Sequence, residues 1–193
     1  MATTPLRKDA ARNWERIVAV ARTLVDEGTP MQLNDVARRA GLGVGTVYRH
    51  FATPEALLET VATPCLEALA ACGEQALADS DPWRALQTFL TRTAEAQVTD
   101  ASLAPVTAAV EDALPRTTEL KSSVRTVGAT LLDRARRSGA IRPDLAPADL
   151  VPLMCGIAYA AQVHGGAPAD RIDAVHRYLA TLLEGLRAAP SPT

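Results

Sequence analysis

Thr46, Tyr48, Arg49 and His50 place four polar side chains within about one and a half helical turns, directly behind Gly43, Val44 and Gly45. A helix that enters a DNA major groove about 12 Å wide needs that order: small residues at its tip, donors behind them. Gly43, Val44, Gly45 and Thr46 let the helix N-terminus come close to DNA, where free amides and a positive dipole end suit phosphate. Tyr48 and His50 can donate to phosphates, Arg49 adds charge, and Val44 can touch a thymine methyl group. From the N-terminal arm, Arg7, Lys8 and Arg12 can reach neighbouring phosphates or a minor groove. Arg38 and Arg39 read two ways, as a solvated helix end or as base readers. Tyr48 and His50 taken alone would also fit an ordinary helix surface.

No other constellation points to chemistry. Acidic residues are scattered, without a paired carboxylate, nucleophile elbow or phosphate loop, so the expectation is no catalytic residue and no cofactor. His164 and His176 flank a turn but have no Asp or Cys at ligand spacing, and no metal is expected. Cys65, Cys72 and Cys155 are odd in number and widely spaced, which is neither a disulfide framework nor a metal knuckle and fits a reducing cytosol. Cys65 and Cys72 lie seven apart on one helix face, either as a thiol sensor or as small buried filler.

The elements that must position the donors follow from periodicity. Trp14, Ile17, Ala21 and Leu24 make one apolar stripe on a helix over about 9–27, ended by Gly28 and Pro30. Leu33, Val36 and Ala37 face inward on a short helix ended by Gly41. After Leu42, a second short helix runs from about Val44 to His50, with Val47 and Phe51 inward. Short helix, glycine turn, short helix is helix-turn-helix spacing. Beyond it, Thr53-Pro54, Asp81-Pro82, Ala146-Pro147 and Ala167-Pro168 mark helix starts, because proline suits the first turn and Thr53 or Asp81 can cap it. Helices are expected near 54–78, 82–98, 103–112, 117–138, 147–164 and 168–187, with a frayed tail at 188–193. Pro64 falls inside the first of these and either kinks it or starts a new helix after Thr63. Val124 to Val127, the best strand candidate, lies inside a helical pattern.

The segment from Leu33 to Leu58, LNDVARRAGLGVGTVYRHFATPEALL, resembles the DNA-binding head of the TetR family of bacterial repressors. Asp35-Val36-Ala37, Ala40-Gly41-Leu42, Gly45-Thr46-Val47-Tyr48, His50-Phe51 and Glu55-Ala56-Leu57-Leu58 match it in type and spacing. Upstream, Arg16-Ile17, Ala21 and Gly28 match its first helix. The resemblance implies phosphate contacts for Tyr48 and His50. The family often has serine at 43, lysine at 44 and a basic residue at 54, where this chain has Gly43, Val44 and Pro54. Those departures remove two phosphate contacts and bear on affinity rather than fold.

Composition agrees with two tasks in one chain. The 193 residues carry a net charge of −2 and are 4% aromatic, which favours packed helices over a β-sandwich. Residues 1–51 hold eight basic and five acidic side chains, a net of +3, and the remainder is therefore −5. Met1 to Pro5 does not read as a signal peptide. The uncharged run from Leu150 to Ala169 is broken by Pro152, Gly156 and Gly165-Gly166, and reads as a buried helix and turn rather than a membrane span.

The expected fold is all-α: a three-helix helix-turn-helix head at 1–51 and a body of about six helices at 52–193. The expected function is a one-component regulator, a repressor that binds a palindromic operator in double-stranded DNA as a homodimer. A small, mainly apolar effector releases it. Apolar stripes through Leu153, Met154, Ile157 and Ala161, then Ile172, Val175, Leu179, Leu182 and Leu186, place the dimer interface within 147–187. The effector pocket is expected in the body core around Trp83, Phe89, Leu90, Val110 and Met154. The alternative is a helical ligand-binding or scaffold protein whose head has lost DNA binding.

Overall fold

In a computed structural model, residues 5–187 are described, with side chains from Lys8 onward; Arg7 and the tail 188–193 lie outside the described side chains. The α-helices among the described residues are α1 (Pro5–Asp26), α2 (Leu33–Ala40), α3 (Val44–His50), α4 (Pro54–Leu77), α5 (Pro82–Thr99), α6 (Leu103–Ala108), α7 (Pro115–Arg137), α8 (Leu150–His164) and α9 (Pro168–Leu186). The Val124 to Val127 stretch is part of α7, and among the described residues the nearest thing to a sheet is one isolated bridge between Ile141 and Arg187.

The proline starts are where the sequence places them. Asp81 accepts from the amides of Trp83 and Arg84 at 3.0 and 3.1 Å, and Thr53 Oγ1 accepts from Ala56 at 3.1 Å. Ala146 and Ala167 have no acceptor side chain. There Asp149 and Asp170 reach back and accept from the Ala146 and Ala167 amides, each at 2.8 Å. Pro147 opens a 3-10 turn (Pro147–Asp149) rather than α8 itself. Pro64 sits inside α4, which continues through it, so it does not begin a new helix.

The chain divides into two compact units, and not at residue 51. The head unit is Met1–Pro64 with Ala101–Thr118; the body unit is Cys65–Asp100 with Glu119–Thr193. The head extends past Phe51 because Leu57 and Val61, on the first half of α4, complete a cluster with Ile17, Ala21, Leu24, Leu33, Val36 and Val47. Trp14 is a correction to the stripe: it is 42% exposed, one turn beyond the part of α1 that this cluster covers.

Buried polar groups fix Ala101–Thr118 in the head. Glu59 is 3% exposed, and its two oxygens accept from the amides of Ala113 at 2.6 Å and Leu114 at 2.8 Å. A carboxylate so deep needs such partners, and amides just ahead of a helix are free to supply them. This explains why α6 ends at Ala108 instead of near 112: the chain leaves the helix to bring those amides to Glu59. Arg22 donates to the Val61 carbonyl and to Ser102 Oγ at 3.4 Å.

In the body, α5, α7, α8 and α9 share one cluster that includes Leu86, Phe89, Leu90, Leu131, Leu132, Met154, Ala161, Val175 and Leu179. α4 is long and apolar enough by composition to cross a membrane. Its apolar side chains have protein partners, however: Leu57 and Val61 in the head cluster, Ala76 in the body cluster.

Candidate DNA-binding and effector sites

The turn between α2 and α3 is built by glycine. Gly41 adopts φ 62°, a left-handed conformation that closes α2, and the Leu42 amide then bonds to Ala37 O at 2.9 Å. Gly43 is extended and starts α3, whose Thr46 and Val47 amides bond back to its carbonyl. Arg16 ties α1 to the end of α2 through the Ala40 carbonyl. Val47 and Phe51 are buried, which fixes the rotation of α3.

That rotation sorts the expected contact residues. Gly43, Val44, Gly45, Tyr48 and Arg49 are exposed, Tyr48 at 51%, while Thr46 and His50 are half-buried. A Cβ on Gly45 would meet nothing within 4 Å, so packing does not require glycine there. The basic residues outside α3 are less available. Arg12 faces Asp9 at 3.7 Å and Arg38 faces Asp35 at 2.7 Å, although both stay exposed; Arg39 pairs with Glu27 at 2.6 Å. Lys8 is exposed.

The expected pocket residues are not gathered. Phe89, Leu90 and Met154 are buried in the body core. Phe89 is held against Gly73 of α4 and Gly128 of α7, where added Cβ atoms would lie 3.2 and 3.3 Å from its ring. Trp83 is half-buried, with the Arg187 guanidinium 5.1 Å from its ring centroid. Val110 is fully exposed and belongs to the head unit.

A cavity of about 590 Å³, open to solvent at Ala68, Gln75, Arg92 and Thr99, lies elsewhere in the body between α4, α5 and α9. Its wall is Cys65, Ala68, Leu69, Cys72, Ala96 and Ile172, and its polar rim is Gln75, Arg92, Glu95 and Thr99. Sequence reasoning noted the shared face of Cys65 and Cys72 but not their partners across the gap. Seven residues on a continuous helix separate them by roughly 10.5 Å, beyond the reach of a disulfide. Burial pushes the Cys72 thiol above its ordinary pKa, partly offset by the Arg92 cation. Among the described residues, no group of three His, Cys, Asp or Glu side chains could hold a metal.

The outer faces of α8 and α9 also differ from expectation. Leu179 is 2% exposed, and Met154, Ile157, Ala161, Val175 and Leu186 are likewise buried within the single chain. Most of each stripe is thus covered within the single chain, while Leu153, Ile172 and Leu182 are half-buried. The large apolar side chains left outside on α8 are Val151, Tyr159 and Val163.

Residues 17–61 match the family model for bacterial regulatory proteins of the tetR family, and residues 81–188 match that for the SbtR-like transcriptional regulator C-terminal domain. The second match alone covers more than half of the chain. The chain belongs to the TetR family of bacterial transcriptional regulators. The family's members are one-component regulators that act by binding and carry out no catalytic step. An HTH-type transcriptional regulator of Staphylococcus aureus strain USA300 is 44% identical over 48 residues, which is 24% of this chain and 26% of that protein. The curated relatives are thus matched over about a quarter of their length. Among solved structures, the TetR transcriptional regulator SCO0520 of Streptomyces coelicolor is 28% identical, with 92% of this chain and 99% of that one covered and a TM-score of 0.57. A TetR regulator of Mycobacterium vanbaalenii is 29% identical over 95% of this chain and all of that one, with a TM-score of 0.50.

Proposed function

We propose that this TetR-family chain is a cytoplasmic repressor that binds a palindromic operator as a homodimer and is released by a small effector seated in the body cavity. The observation that carries the DNA-binding part is the outer face of α3. Gly45 is free of packing demands, and Tyr48 and Arg49 stand exposed beside the half-buried Thr46 and His50. Tyr48 and His50 take phosphates, and Val44 and Thr46 approach base edges. Lys8 and Arg12 add backbone contacts, as does Arg38 once DNA phosphate competes with Asp35. Two-fold symmetry of the dimer then selects an operator of matching symmetry.

Dimerisation falls to the C-terminal helices, through Val151, Tyr159 and Val163 on the outside of α8 rather than through the buried Leu179. Tyr159→Glu should shift the protein to monomer in sedimentation and cut operator affinity; a variant that stays dimeric would move the interface elsewhere. The effector acts by differential affinity. A ligand that binds better to the DNA-incompetent form weakens DNA binding by the ratio of its two affinities. The deciding experiment is a gel shift with DNA from upstream of the protein's own gene. A shift competed poorly by unrelated DNA supports a specific regulator, and no shift at low salt refutes it.

A further inference from the structure

The rim of the body cavity is unevenly satisfied. Glu95 has both carboxylate oxygens engaged: Oε2 by Arg92 Nη1 at 3.1 Å, and Oε1 by His176 Nε2 from α9 at 2.7 Å. Arg92 has spent one N–H on Glu95, and a guanidinium has five. Gln75 brings a side-chain amide to the same rim. Each Glu95 carboxylate oxygen already faces one basic side chain and the Thr99 hydroxyl donates to the Glu95 carbonyl at 2.9 Å, whereas Arg92 has given only one of its N–H groups to Glu95.

The rest of the lining suits an apolar body. Ala68, Leu69, Ala96 and Ile172 offer no polar side-chain atoms, and the thiols of Cys65 and Cys72 are soft and weakly polar. A volume of about 590 Å³ falls within the ~300–1,000 Å³ range of small-molecule sites.

We infer that the cavity takes an amphipathic monoanion, an apolar body with one carboxylate-like head, and that the Arg92 guanidinium reads the head. This rests on the cavity being the effector site. A carboxylate at Arg92 gains charge-assisted hydrogen bonds that a neutral hydroxyl does not. A cationic head could reach Glu95 only beside the Arg92 guanidinium, whose charge repels it. His176 acts as a positioning residue: it holds Glu95, and Glu95 holds Arg92 at the rim.

The test uses the full chain and three ten-carbon probes below their aggregation limits: decanoate, decanol and decylamine. Binding is read by mass spectrometry as protection of Cys72 and Cys65 from iodoacetamide, with Cys155 on α8 as the internal reference. Decanoate should protect at a concentration about tenfold below decanol, the difference expected of a charge-assisted bond at a partly exposed site. Decylamine should do no better than decanol. Arg92→Gln, at a side chain 66% exposed, should bring decanoate and decanol to the same protecting concentration. Equal protection by decanoate and decanol would overturn the inference. So would a decanoate preference that survives Arg92→Gln, tighter binding of the amine, or no protection by any probe.

A gel shift run in parallel separates this inference from the function it rests on. Arg92-dependent decanoate binding that leaves DNA bound removes the cavity as the effector site but keeps the anion site. DNA release that does not depend on Arg92 keeps the regulator and removes the anion reader.

Discussion

A Cβ placed on Gly45 in the head would meet nothing within 4 Å, while one placed on Gly73 in the body would stand 2.6 Å from Val127 Cγ1 and 3.2 Å from the Phe89 ring. Both glycines lie inside helices, and they are glycine for opposite reasons. Gly73 is required by what already surrounds it in the folded chain. Nothing within 4 Å in the folded chain requires Gly45, which fits the proposed close approach of DNA to α3. The residues proposed to meet DNA stand outside the head's packing, and the site proposed for the effector is a gap that the body's packing leaves.

The strongest way to break this comparison is to add a side chain at each site. Gly73→Val should force Val127 and Phe89 apart and cost about 3 kcal/mol, the upper end of ordinary overpacking. Thermal or urea denaturation would show it directly. Gly45→Ala should leave stability unchanged or raise it by up to ~1 kcal/mol through better helix propensity. Its loss should appear only in the gel shift. If Gly45→Ala destabilised the protein and Gly73→Val did not, the contrast between the two units would be reversed.

The difference also explains what could be read in the sequence. The head's motif spans under thirty residues, from Leu33 to Leu58, and its spacing reflects local geometry: the left-handed Gly41, the inward Val47 and the outward Tyr48. The helix starts at Pro54, Pro82 and Pro168 were equally legible, because capping is a local matter. The cavity was not. It joins Cys72 of α4, Arg92 of α5 and Ile172 of α9, and no local pattern states that they meet. The expected residues Phe89 and Met154 are large and apolar, as pocket residues are, but the core claimed them first. The unit boundary was missed for the same reason, since Glu59 meets Ala113 and Leu114 across more than fifty residues of chain.

Glu59 sharpens the comparison next, because it is a buried head residue whose purpose is internal. Glu59→Ala leaves the Ala113 and Leu114 amides without their acceptor and should cost about 2 kcal/mol, the usual price of unsatisfied buried donors. Hydrogen exchange at those two amides should accelerate most. Glu59→Gln keeps one acceptor oxygen and should recover part of the loss. If exchange at Ala113 and Leu114 did not change in Glu59→Ala, the placement of the 101–118 segment in the head would need another explanation.

Tyr48 is the exposed counterpart, with a smaller expected effect. Tyr48→Phe removes one hydroxyl from the surface and should leave the melting temperature as it was. DNA affinity should fall by ~0.5–1.5 kcal/mol, the worth of one hydrogen bond. The fall should be similar for operator and unrelated DNA, because backbone contacts carry no sequence information. A change in base preference with intact non-specific affinity would reassign Tyr48 to base reading.

The smallest effect is expected where α4 hands over to α5 in the body. Asp79 Oδ1 accepts from Arg84 Nη2 at 2.7 Å and from the Asp81 amide at 2.9 Å, and Oδ2 accepts from Arg84 Nε at 2.8 Å. The Arg84 bonds first, and then the Asp81 amide, hold the Asp79 carboxyl at about 2, below the ordinary carboxylate value of 3.8. A carboxyl whose pKa is lower in the folded chain releases its proton more readily there, so its contribution is fully present above pH ~4 and disappears as the pH falls through ~2. The contribution is small because solvent screens the pair. Asp79→Asn should therefore lower the melting temperature slightly at neutral pH, and the gap to the parent protein should close between pH ~4 and pH ~2. The head offers the control: Glu27 pairs with Arg39 through a single oxygen at 2.6 Å, without the two-pronged geometry of Asp79. Glu27→Gln should show a gap no larger than that of Asp79→Asn. A gap for Asp79→Asn that stays constant from neutral pH down to ~2 would mean that the carboxylate charge is not what stabilises this corner.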